Sequence, residues 1–207
     1  MGIENFITFM ITALLFVMTP GLDTIFILNK SIGQGRKSGV YASLGINTGV
    51  ITHTLLAALG LSVVLASSPY AFLIIKYSGA FYLLFLGITS LRKRGGSFQI
   101  QEEINGIQNS KKDFLSGFLT NTLNPKVALF FIAFFPQFIT PTQINNPVPY
   151  LLLGFTYALI GIAWCILIAL FASGFSLKIK NNPNAGIWLN KIGAVVFILM
   201  GLKIAFT

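Results

Sequence analysis

Charge is what this sequence has least of. Only 9% of its 207 residues are charged, and Asp and Glu together number 5. An ordinary globular chain carries about 25% charged residues. Too few polar side chains remain here to coat a water-facing surface, so lipid must face much of it. Cysteine occurs once, at Cys165 inside an apolar run, which excludes an intrachain disulfide and a thiolate metal cluster. A single histidine and no second deep acid make a poor metal site, so neither a metal nor a cofactor is expected. No phosphate-binding glycine loop is present, which excludes a nucleotide-driven pump within the chain. No HExxH, no paired catalytic carboxylates and no Ser/His/Asp set occur either, so an enzyme is not expected.

What the chain does have is apolar length. It is 55% hydrophobic, with 20 Phe and 20 Gly, and its mean hydropathy is +0.80. The net charge of +9 would suggest nucleic acid, but the bases sit in short loops between apolar runs, where they orient a chain in a membrane. Nucleic acid is therefore excluded as a partner and lipid is expected. Only Glu4 precedes the first apolar run, so that run reads as a spanning helix and not a signal peptide.

A span needs about 20 mostly apolar residues. Six runs qualify: Phe6 to Asn29, Gly39 to Ala66, Tyr70 to Leu91, Phe114 to Ile139, Val148 to Phe175 and Ile187 to Phe206. Gly-, Pro-, Asn- and Ser-rich breaks separate them. The loops after the first, third and fifth runs carry bases, among them Lys30, Arg36, Lys37, Arg92, Lys111, Lys112, Lys178 and Lys180. The loops after the second and fourth carry none. The positive-inside rule then puts both termini outside.

The third run, KYSGAFYLLFLGI, and the sixth, KIGAVVFILMGLK, share a Lys followed by Gly-Ala and a second Gly eight positions on. The first and fourth each carry a proline with polar neighbours, TPGLDT around Pro20 and NTLNPK around Pro125. The expected fold is thus all-α: a polytopic membrane protein of about six transmembrane helices, in one transmembrane domain over residues 1–207. Repeat 1 covers about residues 1–91, a cytoplasmic loop 92–113, and repeat 2 about 114–207. Three spans per repeat force the second copy upside down, the plan of many secondary transporters.

Pro20 and Gly21 should break the first span. Asp23 follows within one turn and is the only acid well inside a predicted span. Either it serves function or it caps the helix near the cytoplasmic face. Asn121, Asn124, Pro125 and Lys126 mirror this in the fourth span. Asn amides and loosened carbonyls suit a polar solute, and Lys126 can neutralise a carboxylate. The alternative is a plain Asp23–Lys126 ion pair. On the second span Asn47 adds an amide, and Gly45, Gly49 and His53 share one face. His53 either relays a proton or makes an interhelical hydrogen bond. Tyr157 and Trp164 line a pore or fill the core, with core favoured for Trp164.

TPGLDT, GINTGVITHTLLAALGL, KYSGAFYLLFLGITSLR and GFLTNTLNPKVALFFIAFFPQF together resemble the LysE/RhtB-type exporters, the lysine exporter and homoserine/threonine efflux family. The resemblance runs from about Met1 to Phe138 and is most specific from NPK to PQF. It implies a secondary transporter of the bacterial cytoplasmic membrane that exports amino acids or their derivatives, driven by protons. On matching positions it points to Pro20, Gly21, His53, Asn124, Pro125 and Lys126. The family often has Pro where Leu22 stands here. Alternatives are an ion or metal exporter, or a channel, on the same scaffold, and a homodimer through exposed glycine faces is compatible with the sequence.

Overall fold

The computed structural model describes residues 2–63, 69–92, 109–181 and 183–206. The break expected between the second and third runs, at 64–68, and most of the basic loop, at 93–108, lie outside the described residues. The described residues are mostly helical. The helices are α1 (Phe6–Met18), α2 (Leu22–Gln34), α3 (Arg36–Leu56), α4 (Pro69–Arg92), α5 (Ser110–Thr122), α6 (Pro125–Phe134), α7 (Pro147–Asn181) and α8 (Pro183–Phe206). A π turn over Ala57–Leu61 extends α3, and 3-10 turns follow α6.

The element order runs twice: a bent pair, a long helix, then a 24-residue helix. The α1–α2 pair bends by 52° and the α5–α6 pair by 49°. Among the described residues, two helices over Arg36–Leu61 and Pro147–Ala172 are long and apolar enough to cross a membrane, and up to four spans result if each bent pair is one.

The segment expected to part the first two spans is itself helical, apart from one residue. Gly35, at φ +90°, turns the chain between α2 and α3. That conformation is costly for a residue with a Cβ. Lys30 and Arg36 therefore lie within helices. The polar stretch before the fourth run is also shorter than expected, because α5 begins at Ser110 under an Asn109 cap whose side chain accepts the Lys112 N–H. That places Asp113, expected at the end of a loop, buried in the first turn of α5, 3.3 Å from Lys30 Nζ at the end of α2.

Small residues let the backbones approach. A Cβ on Gly45 would run into the Phe114 carbonyl of α5, and one on Gly117 into the Ala42 carbonyl of α3. The glycines of the third and sixth runs are used reciprocally. Gly87 of α4 faces Ala194 and Ile198 of α8, while Gly201 of α8 faces Ala80 and Leu84 of α4. Gly79 of α4 abuts Ala133 on α6, and Gly193 of α8 abuts Thr19 at the end of α1. α4 and α8 thus clasp each other, and each also packs on a half-helix, α4 on α6 and α8 on the end of α1.

The core is aromatic. Phe16 and Phe130 rings lie 4.1 Å apart and Phe9 and Phe138 5.3 Å, locking α1 against α6 and its 3-10 turn, within which Phe131 stacks on Phe135 at 4.2 Å. The outside is apolar as well: Ile7, Leu59, Phe81 and Phe171 are all more than 60% exposed. The N-terminal lead is tied to the segment after α6, since the Glu4 N–H donates to the Phe138 carbonyl at 2.8 Å and the Thr140 N–H to the Gly2 carbonyl at 3.0 Å.

Gly117→Val should lower the stability of the detergent-solubilised protein by about 2 kcal/mol or more, because a rigid backbone carbonyl stands in the way. Gly60→Ala, where nothing lies within 4 Å, should leave it unchanged or raise it. Thermal melting checks both.

Candidate functional site

Both helix breaks have the same local cause. The residue before a proline is pushed out of the helical region. Thr19, before Pro20, is extended at ψ 118°, and Asn124, before Pro125, is extended at ψ 107°. Each break opens a helix carboxyl end on one side and an amino end on the other. In an apolar environment these groups need partners.

The partners come from across the molecule. Asp23, in the first turn of α2, receives the Asn121 side-chain N–H at 2.8 Å on Oδ2 and that of Asn124 at 3.2 Å on Oδ1. A carboxylate at a helix amino end is also favoured by the helix dipole. Asn124 turns its own Oδ1 to the Lys126 backbone N–H at 3.0 Å and so caps α6, with Pro125 at the first helical position, where no donor is needed. Lys126 Nζ reaches back to the open end of α1 and donates to the Thr19 carbonyl at 3.0 Å and the Phe16 carbonyl at 3.4 Å. It lies 4.6 Å from the Phe16 ring centroid and 5.1 Å from that of Phe197. A Cβ at position 21 would sit 3.3 Å from that ammonium. His53 Nε2 lies 3.1 Å from the Asn121 carbonyl at the open end of α5. A carbonyl only accepts, so Nε2 carries the proton.

Between the two breaks lies a hollow of about 470 Å³, its open mouth included. Gly21, Asp23, Asn121, Asn124 and Lys126 line it from the breaks, and Asn47 lines it from α3. Asn47 gives its N–H to the Ser43 carbonyl at 2.9 Å, which leaves its Oδ1 without a partner. The Asn121 Oδ1 is likewise unpartnered, and so is the Trp164 indole N–H. Phe16, Val17, Ile46, Val50 and Val127 supply apolar wall.

Of the residues singled out from sequence, Pro20, Pro125 and His53 do not line the hollow; they shape or cap its surroundings. The direct Asp23–Lys126 ion pair is not formed. The only ion pair among the described residues is Lys30–Asp113, because the two Asn amides occupy Asp23 and the α1 carbonyls occupy Lys126. Trp164, expected in the core, lines the hollow. The signal was its spacing: Tyr157, Gly161, Trp164 and Cys165 fall at 0, 4, 7 and 8 along α7, one helix face, and all four line the cavity. Among the described residues no group of three or more His, Cys, Asp or Glu could hold a metal ion.

Asn124 has two tasks that substitution can separate. Asn124→Ala should cost about 1 kcal/mol from the lost cap, in addition to freeing Asp23 Oδ1. Asn124→Ser keeps a capping oxygen and should melt closer to wild type. Equal melting temperatures for the two variants would contradict the cap.

The sequence of this chain is similar to those of known membrane proteins. A model of the LysE type translocator family matches residues 14–207. The uncharacterized membrane protein YrhP of Bacillus subtilis is 32% identical over 199 residues, 92% of this chain and 93% of its own. The leucine efflux protein of Salmonella choleraesuis is 32% identical over 178 residues, 84% of this chain and 80% of its own. An uncharacterized membrane protein of Vibrio cholerae is 30% identical over 207 residues, 99% of this chain and 98% of its own. No solved structure matches the chain. With the match covering nearly its whole length, the chain belongs to the LysE type translocator family.

Proposed function

We propose that the chain exports neutral amino acids from the cytoplasm, with the hollow between the two helix breaks as its substrate site. The observation that carries this is the polar complement of the hollow. Asp23, held open by two amides, and the unpartnered Oδ1 atoms of Asn47 and Asn121 are acceptors for a substrate ammonium. The Trp164 indole N–H, the amino end of α2 and Lys126 are donors for a carboxylate. The lining offers one carboxylate, held by two amides, and one ammonium, held by the α1 carbonyls, and no further charged group for a charged side chain. The Phe, Val and Ile wall suits an aliphatic one. The family match and the leucine efflux relative support amino acid export over an ion or metal exporter or a channel.

In this proposal the bent pairs, α3, α4, α7 and α8 make six spans in two inverted units, which rock about the hollow to give alternating access. Lipid covers the exposed apolar faces. The Lys30–Asp113 contact joins the carboxyl end of α2 to the amino end of α5, which puts the ends of the first and third spans on one side, and the Gly2–Thr140 tie joins the amino terminus to the segment after the fourth. Both agree with basic loops in the cytoplasm and termini outside. Asp23 takes the substrate ammonium or a proton in turn, so that protonation from outside releases the amine and couples export to the proton gradient. His53, one hydrogen bond from Asn121, is the second candidate for that proton.

Purified protein in vesicles loaded with labelled leucine tests this. Efflux should saturate, respond to a pH gradient and fall by about tenfold or more in Asp23→Asn, which loses a charge-assisted contact. Undiminished efflux in that variant would reject the site.

A further inference from the structure

The open carboxyl end of α1 is a cation site, and a side chain already fills it. In transporters with broken helices, unwound carbonyls and half-helix carboxyl ends bind the coupling cation. Here the Thr19 and Phe16 carbonyls converge on Lys126 Nζ at 3.0 and 3.4 Å, with the faces of Phe16 and Phe197 at 4.6 and 5.1 Å. Aromatic faces attract a cation electrostatically. Gly21 keeps the space beside the ammonium free of a side chain, and Asp23 supplies the nearby negative charge. Thr19 is itself held in place, its hydroxyl donating to the Leu15 carbonyl at 2.7 Å and its N–H to the same carbonyl at 3.0 Å.

We propose that Lys126 is a tethered substitute for a free monovalent cation at this site, so that transport is independent of sodium and removal of the ammonium opens the site to sodium or methylammonium. A cation bonded to the chain cannot cross with the substrate. It supplies the positive charge that the α1 end needs and adds nothing to the stoichiometry. At the other break His53, anchored on α3, adds a second donor to the Asn121 carbonyl, which already accepts the Asn124 N–H at 2.9 Å. No free cation is then needed at either carboxyl end. This inference rests on the transporter reading for its consequence, but its first readout is binding and does not depend on flux.

The test compares sodium, methylammonium and choline chloride at equal ionic strength. The wild-type melting temperature in detergent should be the same in all three. Lys126→Ala should melt lower in choline and gain about 2–4 °C in sodium or methylammonium. Lys126→Met, which keeps the apolar stem, serves if the alanine variant does not insert, and should show the same preference with a smaller shift. Amino acid flux in vesicles should be unaffected by sodium in the wild type. In Lys126→Ala it should be lost in choline and partly restored by sodium or methylammonium. Sodium-dependent stability or flux in the wild type would overturn the proposal, as would a folded variant whose melting is blind to the cation. If leucine flux fails while the cation shift appears, the substrate reading is wrong and the tethered cation stands.

Discussion

Everything in this structure depends on how the backbone is satisfied at two proline breaks. A helix interrupted in an apolar setting exposes carbonyls on one side of the gap and N–H groups on the other, each costing several kcal/mol if left alone. Each break here is served by the other. Lys126, from just past the second break, fills the end of α1. Asp23, from just past the first, sits at the start of α2 and binds the amides of Asn121 and Asn124 beside the second. The two gaps must therefore meet, and where they meet a polar hollow remains.

That crossing explains features that otherwise look unrelated. Glycines line α3 and α5 because the two helices must touch backbone to backbone for Asn121 to reach Asp23. A phenylalanine stack fills the space from Phe9 to Phe138, so the half-helices are held rigid on one side of the hollow. The glycine contacts of α4 and α8 bring α4 against α6 and α8 against the end of α1.

Much of this was legible in the sequence, for physical reasons. Apolar length located each span, since lipid-facing segments cannot be polar, but it missed ends that run on into polar sequence: α2 continues past the expected Asn29 to Gln34, and α7 past Phe175 to Asn181, through the expected loop bases Lys178 and Lys180. Pro20 and Pro125 marked the gaps because proline acts locally through its own ring and on its predecessor. The side-chain pairing was not legible. Asp23 and Lys126 suggest an ion pair by charge alone, yet each has a better partner in a helix end or an amide. Asp113 looked like a loop residue, because the Asn109 cap that starts α5 precedes it by only four positions within a polar stretch. Trp164 looked like core by composition, and only its alignment with Gly161 on one helix face betrays that it borders a cavity.

The central claim is that the hollow between the breaks receives a neutral amino acid. Trp164 borders the hollow, and the other tryptophan, Trp188, is 63% exposed on α8. In a Trp188→Phe protein, Trp164 is the sole indole reporter. Its fluorescence should change saturably on titration with leucine, and the change should vanish when Asp23 is also replaced by Ala. A Trp164 signal indifferent to leucine, or one that saturates equally well without Asp23, would contradict the account.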